Sequence, residues 1–186
     1  MLNRLIMSLE SSLVVIRDGY PYFVHPITDG IPELQPEILR EVVSGIIKVA
    51  DLNVDKIVTI EAMGIPVATA LSLATDIPML IARKKSYNLP GEIEVDQKTG
   101  YSEGKLYING IEKGERVVLI DDVVSTGGTA LATIEALKKA GAIVKGFIAV
   151  VEKGRGAEEL RRKGIDVKSL VRVEVSQGGV RVVGHI

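Results

Sequence analysis

The chain contains no cysteine, so disulfide frameworks and thiolate metal sites are excluded. Histidine is nearly as scarce. His25 and His185 are the only two, too few for a zinc constellation or for a Ser-His-Asp arrangement with spare candidates. Surplus charge of either sign is also missing: Lys and Arg total 23 against 24 Asp and Glu, for a net charge of -1. A protein whose main partner is duplex nucleic acid draws most of its affinity from a basic excess. No apolar run approaches the roughly 18 residues of a membrane span. The opening stretch from Met1 to Ile16 is broken by Arg4 and Glu10 and ends without a small-residue cleavage site, which makes it a poor signal peptide. What remains is ordinary for a folded protein: 186 residues, 46% hydrophobic and 25% charged. These features predict one soluble, cytoplasmic domain spanning 1–186, with no nucleic-acid or membrane partner.

Two periods alternate along the chain. Strand-like runs of aliphatic and β-branched residues fall at 56–60, 78–82, 116–120, 143–151 and 168–175. Helical spacing fills the intervals. From Pro36 to Ala50 the apolar residues Ile38, Leu39, Val42, Val43, Ile46, Ile47 and Val49 recur every three or four positions, with Pro36 suited to a first turn. Shorter helices are expected over 65–74, 128–140 (stopped by Gly141) and 156–163. Strands alternating with helices imply βαβ crossovers, hence a mostly parallel, Rossmann-like sheet with helices on both faces. Two segments break the rhythm. Residues 17–35 are expected to be irregular. Residues 83–115 are polar and glycine-containing, with Asn109-Gly110 as a hairpin turn signal, and a connection of that length is usually functional.

The segment Val117-Val118-Leu119-Ile120-Asp121-Asp122-Val123-Val124-Ser125-Thr126-Gly127-Gly128-Thr129 carries the chemistry. Four aliphatic residues predict a buried strand, two carboxylates follow at its carboxyl end, and a hydroxyl- and glycine-rich loop opens into a helix. In open α/β sheets ligands bind outside the carboxyl ends of the strands. A Ser/Thr/Gly loop at a helix N-terminus suits a phosphate, and glycine lets the backbone approach it. Adjacent carboxylates repel that phosphate, so they address vicinal hydroxyls, a metal or developing positive charge. No Lys follows the glycines, so this is not a Walker loop. Gly154-Arg155-Gly156 has the start of a dinucleotide fingerprint, but the third glycine position holds Glu159.

The 117–129 string resembles the phosphoribosyl pyrophosphate (PRPP) signature of the type I phosphoribosyltransferases. Further likenesses run along the chain. Tyr20-Pro21 through Thr28 resembles the N-terminal segment of adenine phosphoribosyltransferases, and Glu61-Ala62-Met63-Gly64 falls where such enzymes carry a pyrophosphate loop. Arg83-Lys84-Lys85 with Leu89-Pro90-Gly91 resembles the start of their mobile loop. Val151-Glu152-Lys153-Gly154, Glu159-Leu160 and Ser169-Leu170-Val171-Arg172 are more like xanthine phosphoribosyltransferases. The mosaic is similar to the archaeal hypoxanthine/guanine phosphoribosyltransferases.

The resemblance implies the type I fold: an α/β sheet, a small hood from about 1–35 and the C-terminal end, and a mobile loop at about 83–108. It implies transfer of ribose 5-phosphate from Mg-PRPP to a purine, with Mg²⁺ bound together with PRPP and no assigned protein ligand. It also implies a homodimer. Carried over by residue, Ser125, Thr126, Gly127, Gly128 and Thr129 hold the 5-phosphate, while Asp121 and Asp122 address the ribose and the positive charge at its anomeric carbon. Ala62, Met63 and Gly64 offer backbone groups to the pyrophosphate, in a loop expected to carry a strained or cis peptide, and Arg83, Lys84 and Lys85 neutralise it.

Two departures tell against the adenine pattern. Met63 stands where those enzymes carry Arg, and Tyr101 matches their loop Tyr but follows Gly100 rather than Glu. Glu103 is the substitute candidate for proton transfer. Base choice turns on Lys153, expected at the carboxyl end of a strand. Its ammonium is a donor, matched to the O6 acceptor of a 6-oxopurine and mismatched to the amino group of adenine. His25 and Phe23 are candidates to close over the base, and equally candidates for packing. Adenine or xanthine transfer, or a regulator that binds PRPP without catalysis, are the alternatives.

Overall fold

A computed structural model describes residues 2–17, 19–98 and 103–186, without the side chains of residues 97, 98 and 103. The chain opens with α1 (Asn3–Glu10), a hairpin of β1 (Leu13–Arg17) and β2 (Tyr20–Val24), and the single turn α2 (Pro26–Asp29). Then come α3 (Pro36–Val49), β3 (Lys56–Ile60), α4 (Gly64–Thr75), β4 (Met79–Ala82), β5 (Ile93–Lys98) and β6 (Glu103–Ile108). The second half comprises β7 (Arg116–Val124), α5 (Gly128–Lys139), β8 (Ile143–Lys153), α6 (Gly156–Arg162), β9 (Val167–Ser176) and β10 (Gly179–His185).

Six strands form the main sheet in the order β10-β9-β8-β7-β3-β4. All neighbours are parallel except β10 on β9. From β3 the chain winds outward to β4, whereas from β7 it winds the other way through β8 to β9. The adjacent ends of β3 and β7 therefore form a topological switch point, where open α/β sheets bind ligands.

Strand alternation builds the two cores. Val118 and Ile120 face one side with Leu5, Val42, Ile46, Val67 and Leu71 from α1, α3 and α4. Val117 and Leu119 face the other with Ile134 and Leu137 of α5, Leu160 of α6, and Leu106 and Ile108 of β6. Each fully buried aliphatic side chain contributes roughly 1.5–3 kcal/mol. Pro36 occupies the first turn of α3, and Gly141, at φ 92°, receives the chain as α5 ends. Among the described residues no helix is long and apolar enough to cross a membrane.

Four expectations need correction. Residues 17–35 are not irregular: β2 pairs with β1 from Leu13↔Val24 to Arg17↔Tyr20, and α2 follows. The 83–115 connection is not simply a polar loop. β5 pairs with β6, Val95, Leu106 and Ile108 are buried, and Arg83 bridges to Tyr107. Asn109-Gly110 closes no hairpin. Gly110 does adopt a turn conformation at φ 83°, but Asn109 Nδ2 donates to Glu92 and the chain runs on into β7. Finally, β7 continues through both aspartates to Val124, and β8 runs to Lys153.

Candidate active site

A cavity of about 800 Å³ lies over the switch point. Asp121, Asp122, Ser125, Thr126, Gly127, Gly128 and Thr129 line one part of it, and Phe23 and Lys153 another. The 117–129 string thus folds as strand, loop and helix start. Gly127 takes a left-handed conformation, φ 78°, at the N-cap of α5, and its carbonyl accepts from Leu131 N–H at 2.9 Å. A helix N-terminus concentrates N–H donors and the positive end of the macrodipole, so this end of the cavity suits a phosphate.

The aspartates are held in a low-dielectric setting. Asp122 N–H donates to Asp121 Oδ1 at 3.0 Å, and Asp122 is only 8% exposed. Burial pushes Asp121 up to about 6, against the pull of its hydrogen bonds from Asp122. Asp122 is raised well above the usual carboxylate range, first by burial and then by the Asp121 charge. Such a pair binds a proton readily and is stabilised by any cationic centre placed against it. Gly64, at the start of α4, leaves room for this carboxylate. A side chain there would meet Thr59 Oγ1 and stand 2.7 Å from Asp121 Oδ1.

The N-terminal hairpin roofs the other end, where Arg17, Tyr20, Pro21, Tyr22, Phe23 and Thr28 line the cavity. Lys153 Nζ donates to the Pro21 carbonyl at 3.1 Å and lies 5.9 Å from the Phe23 ring centroid. Burial lowers its proton affinity. The neighbouring Glu152 does not pair with it: its buried carboxylate takes Arg161 Nη2 at 2.9 Å and Ser169 Oγ at 2.6 Å. The Lys153 ammonium is therefore free of any carboxylate partner from its own strand.

His25 sits elsewhere than over a base. It is fully buried and does not line the cavity. Its Nδ1 accepts from Ile27 N–H at 3.1 Å, capping α2, while Nε2 meets Ser8 Oγ at 2.9 Å.

The pyrophosphate-loop candidates lie at the rim. The Glu61-Ala62 peptide is cis. Ile60 and Glu61 line the cavity, but Ala62, Met63 and Gly64 do not, and the Met63 methyl end reaches toward Gly30. Arg83, Lys84 and Lys85 also stand outside. Arg83 and Lys85 flank the Tyr87 ring at 5.3 and 5.8 Å, and Lys84 N–H donates to Glu61 Oε2 at 2.9 Å. The Glu103 side chain, Gly100 and Tyr101 lie outside the described residues.

Comparison with known proteins decides the family. Residues 33–183 match the phosphoribosyl transferase domain. The chain belongs to the phosphoribosyl transferase family. It is 66% identical over 186 residues, all of both chains, to a protein of Ferroglobus placidus named hypoxanthine/guanine phosphoribosyltransferase. A protein of the same name from Methanothrix thermoacetophila is 58% identical over 177 residues, covering 95% of this chain and 93% of the relative. In structure the chain resembles the adenine phosphoribosyltransferase of Thermoanaerobacter pseudethanolicus at a TM-score of 0.73 and 22% identity, over 91% of this chain and 99% of that one. That likeness speaks for the fold.

Within this phosphoribosyl transferase, several site residues escaped the sequence reading. Arg17 lines the cavity with its guanidinium 4.9 Å from the Tyr22 ring centroid. Asp29 organises the roof, accepting from Tyr22 Oη at 2.6 Å, Thr28 Oγ1 at 2.6 Å and His25 N–H at 3.0 Å. Burial and that bond push the Tyr22 phenol up to about 12. The available signal was Asp29 four residues after the His25 cap, reaching back to the cap N–H much as a capping box does. Glu61 gave no sequence signal beyond its place at the head of the loop string Glu61-Ala62-Met63-Gly64.

Proposed function

We propose that the chain transfers the 5-phosphoribosyl group of Mg-PRPP to a ring nitrogen of hypoxanthine or guanine, releasing pyrophosphate in purine salvage. The observation that carries the base assignment is the Lys153 ammonium in the roofed end of the cavity, without a carboxylate partner among the described residues and beside Phe23. An O6 acceptor satisfies that donor; the amino group of adenine opposes it. The names of the relatives from Ferroglobus and Methanothrix support the same reading.

In this reading Ser125 to Thr129 hold the 5-phosphate at the start of α5, and Asp121 and Asp122 accept from the ribose hydroxyls. The bond from the anomeric carbon to the pyrophosphate oxygen breaks ahead of the bond that forms to the purine nitrogen, and its electron pair leaves with the pyrophosphate. Positive charge develops on the ribose between the two events. The buried aspartates stabilise it, and preorganised charge of this kind is usually the largest catalytic contribution. The proton displaced from the purine passes to this pair, whose proton affinity burial has raised toward neutrality. Phe23 and Lys153 fix the base, with Tyr22 and Asp29 holding the roof in place. Arg83 and Lys85 flank Tyr87 outside the cavity, so neutralising the pyrophosphate requires the segment that begins at Arg83, the start of the expected mobile loop, to move inward when PRPP binds.

Magnesium would neutralise the leaving pyrophosphate. Among the described residues no group of three or more His, Asp or Glu is placed to hold a metal. Asp121, Asp122 and Glu61 are carboxylates that line the cavity, and in this reading the ion would arrive bound with PRPP.

The test is pyrophosphate release from PRPP and Mg²⁺ with each purine in turn. Hypoxanthine and guanine should support turnover and adenine should not. Turnover with adenine or xanthine alone would overturn the base assignment, and none with any purine would overturn the transferase reading.

A further inference from the structure

The glycines of Gly154-Arg155-Gly156, left without a role once a dinucleotide site is set aside, lie directly beneath the loop that opens α5. Gly156 N–H donates to the Ser125 carbonyl at 2.8 Å. A Cβ on Gly156 would run into that same carbonyl oxygen and stand 2.5 Å from both the Gly127 nitrogen and the Thr126 carbonyl carbon. These neighbours are backbone, so no side-chain rotation relieves the contact. The fit is reciprocal. A Cβ on Gly127 would come 3.0 Å from the Gly156 carbonyl oxygen and 3.2 Å from Leu160 Cδ1. Two stretches of main chain, 125–127 and 156, therefore lie against each other at a distance that glycine alone permits, with buried Leu160 as the floor.

The geometry points to Gly156 as a positioning residue for phosphate binding: the side chain it lacks sets the height of the 125–128 loop, and so the place where a 5-phosphate is held. This inference rests on the reading of that loop as a phosphate site. It also accounts for the sequence. α6 starts at Gly156 with its first turn buried, Gly156 and Ala157, because it carries the loop rather than a ligand of its own. Adding a methyl group at 156 lifts the peptides of 125–127 toward the cavity and misaligns their donors. Displacements of about 1 Å in binding groups cost up to ~10²-fold.

The experiment compares wild type, Gly156→Ala, Leu160→Ala and Gly164→Ala. Gly164 follows α6 at φ 78°, and a Cβ there would have nothing within 4 Å, so alanine strains the same helix without touching the loop. For each protein the KM for PRPP, the KM for hypoxanthine and the binding of IMP and of inosine are measured. Gly156→Ala should raise the KM for PRPP and weaken IMP by roughly tenfold or more, leaving inosine and the KM for hypoxanthine within about twofold. Gly164→Ala should change none of these, whatever its melting temperature. If Gly156→Ala does not fold, Leu160→Ala decides, since removing the floor should move PRPP and IMP in the same direction. Failure of the phosphate reading is separately visible as equal binding of IMP and inosine by wild type. Wild-type preference for IMP retained in full by the folded variants would overturn the positioning role alone.

Discussion

Lys153 Nζ donates to the carbonyl oxygen of Pro21, 132 residues earlier in the chain, at 3.1 Å. One hydrogen bond thus ties the end of β8 to the N-terminal hairpin that roofs the cavity. An ammonium has three donors and no acceptor, so two remain without a partner among the described residues. Glu152 cannot take them, because the strand pleat sends its carboxylate to Arg161 and Ser169. In the proposed reading, a half-buried lysine with donors to spare makes a selective contact for an acceptor on the base.

Replacing Lys153 with Met removes the donor while keeping most of the stem. kcat/KM for hypoxanthine should fall by roughly 1.5–3 kcal/mol, the range for a hydrogen bond to a charged group. Adenine turnover should hold or rise. An unchanged ratio of hypoxanthine to adenine turnover would show that Lys153 only anchors the hairpin.

Asp122→Asn separates catalysis from stability. Loss of one preorganised electrostatic stabiliser typically lowers kcat on the order of 10²–10³-fold. Stability should move the other way. A carboxyl whose folded pKa is raised holds its proton more tightly in the folded state, so its charge opposes folding at neutral pH. Asparagine should therefore melt no lower than wild type at pH 7. A folded variant with near-normal turnover would sink the role.

The same burial sets an acid limb. Asp121 is pushed up to about 6, and in the proposed mechanism the carboxylate form is the one that accepts ribose hydroxyls and balances positive charge. kcat/KM for PRPP should fall as pH drops through about 6, well above where an ordinary carboxylate titrates. Asp121→Asn should lower the plateau and shift or remove that limb. A flat profile from pH 7 to pH 5 would contradict the assignment.

The parts of the molecule legible in the sequence were those governed by local pattern. The 3.6-residue period from Ile38 to Val49 became α3, and the 117–129 string became strand, loop and helix start, because each carries its own burial and turn chemistry. The β1–β2 hairpin was not legible. Leu13, Ile16 and Tyr20 are exposed on it, so it lacks the alternation that a buried strand face imposes. β5 and β6 were masked by their polar residues, with Val95, Leu106 and Ile108 buried only through packing on α5 and the sheet. Asp29 and Gly156 act through contacts with chain distant in sequence or set by a turn, which no spacing announces.

His25 supplies the last prediction, since its place in the fold makes it a pH sensor of stability rather than a base ligand. Burial lowers its pKa from 6.5 to about 4, partly opposed by the Asp29 charge. Its Nδ1 accepts from Ile27, so the neutral ring carries its hydrogen on Nε2 and donates it to Ser8 Oγ. Protonation would cost the α2 cap and bury a cation. The folded pKa lies below the unfolded one, so the unfolded chain binds the proton first. The stabilisation is complete above about pH 6.5, declines as pH falls and is gone below about pH 4. Two and a half units correspond to roughly 3 kcal/mol at most. His25→Asn keeps an acceptor at the cap but does not titrate. Urea unfolding at about pH 7.5 and about pH 4.5 should show wild type losing roughly 2–3 kcal/mol more than the variant between the two. Carboxylates titrate in both proteins, so the difference between the slopes isolates the imidazole. Parallel slopes would mean that the ring is charged in the folded protein, and the capping arrangement at α2 would have to be abandoned.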